Sequence, residues 1–142
     1  MRSLIFPLLF SVLVARAHPL QWEEVLEGAS FGKVKELLVE ELETAGFEVV
    51  GVLDVSGERP RLSYILFRCM EEVLGKLPQL GAMMPCRVYI HEREDGSTVV
   101  GSLNMDTAGR VFGKHLSPEE ERLIRDTGVR IRRAVERLRR RL

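Results

Sequence analysis

A chain of 142 residues and 16.2 kDa has room for one compact domain and excludes a second. Its 21 Lys and Arg are balanced by 21 Asp and Glu, so no overall excess marks a general nucleic-acid or membrane-surface binder. With 45% hydrophobic residues arranged in periodic runs, a disordered chain is excluded as well.

The first segment reads as an address. Met1-Arg2 is a short positive start, Leu4 to Val14 is apolar apart from Pro7 and Ser11, and Ala15-Arg16-Ala17 is an A-x-A cleavage pattern before His18. The run is too short to span a membrane, which takes about 20 apolar residues. Residues 1–17 are therefore expected to be a signal peptide cut between Ala17 and His18, which predicts an exported, periplasmic or otherwise extracytoplasmic protein. The cut leaves 19 basic against 21 acidic residues, a net charge of −2.

Gln21 to Glu27 alternates weakly and predicts a short strand. Ser30 is placed to cap a helix in which Phe31, Val34, Leu37, Leu38, Leu42 and Ala45 recur at three- and four-residue steps, and Gly46 ends it as the residue beyond the C-cap. Phe47 to Val55 is rich in β-branched residues, Ser56 to Pro60 is its turn, and a second strand runs from Arg61 to about Cys69. A short helix carrying Met70, Val73, Leu74 and Leu77 leads to Pro78. Gly81 to Cys86 reads as a loop, because Pro85 removes a backbone donor and holds Met84 extended. Cys86 to Arg93 and Thr98 to Met105 form a hairpin about the turn Glu94-Asp95-Gly96-Ser97. Ser117-Pro118-Glu119-Glu120 is a capping box, with proline at the first helical position. It opens a helix whose stripe is Ile124, Ile131, Val135, Leu138 and Leu142.

Several of these stretches carry a resemblance. Ser30-Phe31 opening a helix, Ala45-Gly46-Phe47-Glu48-Val49 turning it into a strand, Ile65-Leu66-Phe67-Arg68-Cys69, and Leu80-Gly81-Ala82-Met83-Met84-Pro85-Cys86 resemble the prokaryotic family called domain of unknown function 302. The similarity covers about residues 20–113. It implies a small α+β domain, a single two-layer structure with a curved antiparallel sheet, helices on one face and a TATA-binding-protein-like topology. It also implies frequent dimers, hence an expected homodimer, and supplies no agreed biochemical activity. The expected organisation is a signal peptide over 1–17, an α+β domain over 18–113 and an Arg-rich C-terminal helix over 114–142, the last an addition to the simplest members.

Strand parity places both cysteines. Cys69 shares a side with Ile65 and Phe67, and Cys86 shares one with Val88 and Ile90, so both thiols face the apolar side. Antiparallel pairing of the two strands brings them to one end of the sheet. Three readings stay open: a Cys69–Cys86 disulfide, suited to an exported protein; two separate buried thiols acting as small hydrophobes; or a working site. The working site is either a reactive dithiol, which would make the protein an enzyme of unknown reaction, or a soft-metal centre. Such a centre draws on Met83, Met84, Cys86 and Cys69, with Met70 or Met105 beside them, and thiolate and thioether donors favour copper(I). Methionines beside a proline are more commonly gap-fillers.

The remaining chemistry is sparse. His91 has the opposite parity to Cys86, His18 offers a copper(II)-binding amine and imidazole if it becomes the N-terminus, and His115 reads as solvated. Glu23-Glu24, Glu40-Glu41 and Glu119 to Glu121 sit in amphipathic or capping contexts, and no phosphate loop, C-x-x-C, G-x-S-x-G or H-E-x-x-H occurs. From Leu116 to Leu142 nine arginines stand against five acids, acids first, an order that suits the helix dipole. That helix is expected to dock on the domain, to zip to a second copy, or to meet an anionic surface; nucleic acid is not an expected partner. The chain as a whole reads as an exported binding or interaction module.

Overall fold

The computed structural model describes residues 20–142, so the expected signal peptide, its Ala17–His18 cut and the His18 site lie outside the described residues. Five strands, β1 (Gln21–Leu26), β2 (Glu48–Ser56), β3 (Leu62–Arg68), β4 (Cys86–Glu92) and β5 (Thr98–Leu103), form one sheet in the order β1-β5-β4-β3-β2, every pair antiparallel. Among the described residues four α-helices accompany it: α1 (Phe31–Thr44), α2 (Glu71–Lys76), α3 (Met105–Phe112) and α4 (Pro118–Arg141). No described helix is long and apolar enough to cross a membrane.

The α+β layering follows from two periodicities. Ser63, Ile65 and Phe67 of β3 and Cys86, Val88 and Ile90 of β4 alternate into one buried face, and Val34, Leu38 and Leu42 of α1 meet them at helical spacing. Ser30 caps α1 by accepting from the Lys33 N–H, and Gly46 leaves the helix at φ 90°, a backbone conformation that costs glycine nothing. On the opposite sheet face the register aligns Leu53, Tyr64, Tyr89, Gly101 and Glu23 in one row. β2 is an edge strand broken by two register shifts, at Val49/Gly51 and Asp54/Ser56, with Val50, Val52, Leu53 and Val55 exposed. Such bulges disturb the free ladder at an edge and blunt its pairing with further strands.

Three stretches of the chain depart from the sequence expectation. The last strand ends at Leu103 rather than Met105, and Asn104 caps an unexpected helix, α3, by accepting from the Asp106 N–H. The stretch read as a loop is in part a 3-10 helix over Pro78–Met83. The strand expected to reach Cys69 stops at Arg68, and Met70 adopts a left-handed φ of 53° before α2 begins.

α4 docks on the domain. Its capping box forms as expected, and Ile124, Ile131, Ala134, Val135 and Leu138 join the same core as the sheet, while Leu142 is exposed. Segment 114–142 thus shares one core with the rest of the chain. Six of the nine arginines are engaged within the chain. Arg125 pairs with Glu121, Arg130 donates to the Ala45 carbonyl at 2.6 Å, Arg132 lies over the Trp22 ring, Arg139 pairs with Glu24, and Arg137 and Arg141 both reach Glu41. Arg122, Arg133 and Arg140 are exposed.

Glu41, only 6% exposed, is the centre of the clamp between α1 and α4. The hydrogen bond from Arg137 holds its carboxyl below the ordinary value of 4.5 against the opposing cost of burial, and Arg141 adds to the effect. A lowered folded-state pKa contributes stability that is full above 4.5 and is lost as pH falls through the folded value. Glu41→Gln is expected to lower unfolding free energy by about 2 kcal/mol at pH 7. Urea melts of the two chains should converge as pH drops below 4.5; a gap unchanged down to pH 3 would refute the clamp.

Candidate functional site

β3 and β4 pair with Phe67 opposite Cys86, which puts the cysteine that follows Arg68 beside the first residue of the neighbouring strand. Cys69 and Cys86 are joined as a disulfide, with their Cα atoms 6.0 Å apart, inside the range such a bond needs. Both are buried among core residues, as their parity indicates. Of the three open readings, the structure adopts the disulfide.

A third sulfur accompanies them. The Sδ of Met84 stands 3.6 Å from the Cys69 Sγ and 3.7 Å from the Cys86 Sγ, so one methionine touches both halves of the bond. Met84 follows the 3-10 helix in extended conformation, and its peptide bond to Pro85 is cis. Met83 ends that helix, and its side chain lies outside what is described. Met70 and Met105 are buried and line a cavity shared with Met84 and Cys86.

That cavity measures about 450 Å³. Its wall is formed mainly by apolar side chains, among them Met70, Leu80, Leu103, Met105 and Ile124, with Tyr89, Arg87, Gln21 and Ser102 as polar or amphipathic members. Ser102 is spent on the Arg87 carbonyl, to which its hydroxyl donates at 3.0 Å. The Arg87 side chain is exposed, and no described carboxylate pairs with it. Tyr89 is oriented by the Glu23 carboxylate, to which its hydroxyl donates. Burial, reinforced by that carboxylate, raises the tyrosine pKa and keeps the hydroxyl protonated. Gly101 makes this possible: a Cβ there would stand 2.2 Å from the Tyr89 ring.

On the other side of the sulfurs lies a shallower cavity of about 340 Å³, lined by Arg68, Cys69, Glu71, Leu74, Met84 and Pro85. The disulfide is thus part of a wall between two hollows. Cys86 borders the larger, Cys69 the smaller, and Met84 both.

The histidines stay apart from this wall. His91 faces the opposite side of β4 from Cys86, beside Leu62 and Val99, and His115 is exposed in a 3-10 turn at Gly113–His115. Among the described residues no group of three or more His, Cys, Asp or Glu is arranged to hold a metal ion. The cavity itself escaped sequence reasoning, because its lining comes from β4, β5, α3, α4 and the 3-10 helix together. The clearest sequence signal was the concentration of methionines at positions 70, 83, 84 and 105.

Known proteins place the chain. An uncharacterized protein of Aquifex aeolicus (strain VF5) is 33% identical over 140 residues, covering 96% of each. The crystal structure of an uncharacterized conserved protein DUF302 from Bacillus stearothermophilus matches 84% of this chain and 98% of its own with a TM-score of 0.69; at 17% identity, it shows the shared fold. The family model described as "Domain of unknown function DUF302" matches residues 68–138. That range takes in most of α4, which the resemblance over residues 20–113 left outside. Two-layer architecture, whole-length relative and family match agree, and the chain belongs to the DUF302 family.

Proposed function

We propose that the protein is an exported binding module whose larger cavity takes a small molecule with an apolar body and one anionic group. The observation that carries this reading is the cavity of about 450 Å³, lined largely by apolar side chains, with Arg87, exposed and without a carboxylate partner among the described residues, on its border. Its size falls in the range of ordinary small-molecule sites, about 300–1,000 Å³, which combine an apolar lining with a few orienting polar groups. Methionine at three lining positions favours tolerance of ligand shape, because an unbranched thioether repacks easily. Export rests on the residues 1–17 pattern and agrees with a disulfide, which persists in oxidising compartments.

Two naphthalene dyes of similar shape test it: the sulfonated anion 1-anilinonaphthalene-8-sulfonate and the uncharged N-phenyl-1-naphthylamine. Both are expected to bind once per chain. Ala82→Trp, at an exposed lining position, should weaken both at least tenfold without altering the melting temperature. Arg87→Ala should weaken the anion roughly tenfold, the worth of one charge-assisted hydrogen bond, and leave the neutral dye unchanged. Indifference of both dyes to Ala82→Trp would place the binding elsewhere. Equal effects of Arg87→Ala on the two dyes would remove the anionic group from the proposal.

A further inference from the structure

We propose that reduction of the Cys69–Cys86 bond converts the wall between the two cavities into a three-sulfur site for copper(I), with Cys69 and Cys86 as thiolates and Met84 as thioether. The inference is independent of the ligand proposed for the larger cavity.

The argument is geometric. Three sulfurs around one ion at a thiolate–metal distance of about 2.3 Å, spread at 120° in a plane, stand roughly 4 Å from one another. Met84 Sδ already lies 3.6 Å and 3.7 Å from the two cysteine sulfurs, so two sides of that triangle are within a few tenths of an ångström of the required length. Only the third side, the covalent bond itself, has to open. A Cα–Cα separation of 6.0 Å leaves both side chains within reach of a shared ion after it does.

The donor set selects the metal. Two thiolates and a thioether are soft ligands and prefer copper(I) to hard divalent cations. His91 points away on the opposite face of β4 and His115 is exposed in its 3-10 turn, so among the described residues no imidazole competes to shift the preference toward zinc or copper(II). An entry route exists, because Cys69 and Met84 line the shallower cavity of about 340 Å³.

The step balances with a dithiol as reductant. Two exchange reactions break the Cys69–Cys86 bond and the reductant's two S–H bonds, and the reductant's sulfurs join as a disulfide. Two electrons and two protons end on Cys69 and Cys86 as thiols. Binding of copper(I) then releases those two protons as both thiols become thiolates. The oxidised chain has no thiolate to offer. Copper(I) affinity is therefore switched by the redox state of one bond.

The test is copper(I) competition against bicinchoninate under anaerobic conditions, on whole chain reduced with dithiothreitol that is then removed. The reduced protein should extract one copper(I) per chain and the oxidised protein none. Met84→Leu, which preserves side-chain volume and leaves both cysteines in place, should keep the disulfide and the melting temperature yet weaken copper(I) binding at least tenfold. X-ray absorption should count three sulfurs in the native site and two in that variant. Equal affinity of Met84→Leu and native chain would overturn the three-sulfur site. So would binding by reduced native chain no tighter than by the Cys69→Ser, Cys86→Ser double variant.

Discussion

Replacing Cys69 and Cys86 together by alanine is expected to lower unfolding free energy by about 3 kcal/mol and the melting temperature by on the order of 10 °C. The bond closes a loop with a sequence separation of 17, and a cross-link of that span removes about this much conformational freedom from the unfolded chain in the chain-entropy model. The loop is not floppy when folded. It holds α2, the 3-10 helix over Pro78–Met83 and Met84, and Val73 and Leu80 anchor it in the core. The effect should therefore come from the unfolded state rather than from lost native contacts, and the variant should fold to the same structure. Thermal melts without reductant check the shift. Dithiothreitol should reproduce it in the native chain and do nothing to the variant, whereas a native chain insensitive to dithiothreitol would mean that the bond contributes no stability. Domains of this size commonly have a total stability of about 5–15 kcal/mol, so the reduced chain remains folded. The three-sulfur site depends on that margin.

Phe67→Ala should be costlier, about 4 kcal/mol. The ring is fully buried, pairs across the sheet with Cys86 and packs against Phe47 at a centroid distance of 4.8 Å and an interplanar angle of 51°. Phe47 in turn carries the Arg130 guanidinium 4.2 Å from its centroid, so one ring links the sheet to the helix-to-strand turn and, through that arginine, to α4. Truncation removes the transfer free energy of a benzyl group and leaves a cavity that neighbouring strands, fixed by their hydrogen-bond ladders, fill only in part. A urea titration should show a lower midpoint with unchanged slope. A loss below 1 kcal/mol would mean that the core collapses around the gap and that Phe67 does not hold the layers together.

The same residues show why some features were legible from sequence and others were not. α1 was readable because Ser30, the three-four apolar rhythm and Gly46 are all local signals, and α4 because its capping box and stripe are. α3 was not. Met105–Phe112 holds a glycine, a threonine and a valine in eight residues, and its Asn104 cap sits directly behind a strand. The helix is stabilised by α4, whose Gly128 leaves no room for a Cβ, only 2.8 Å from Met105. Nothing within eight residues encodes that partner.

For the site, alternation along β3 and β4 was enough to turn both cysteines inward and bring them to one sheet end, since side chains in a strand alternate whatever the fold around them. It left disulfide, separate thiols and working site all open, because parity carries no distance. The β3–β4 register decided among them, and the course of residues 78–85 brought Met84 against both sulfurs. The arginines of α4 divide in the same way. Their order along the helix is a local response to its dipole, whereas engagement with Glu24, Glu41 and the Ala45 carbonyl depends on where α4 lies against β1 and α1. Sequence by itself determined the caps of α1 and α4 and the inward-facing cysteines, which rest on periodicity and short-range signals, and its resemblance to a known family carried the α+β class. The cavity, the sulfur cluster and the fate of the basic helix were decided by tertiary packing, because each is assembled from elements far apart in the chain.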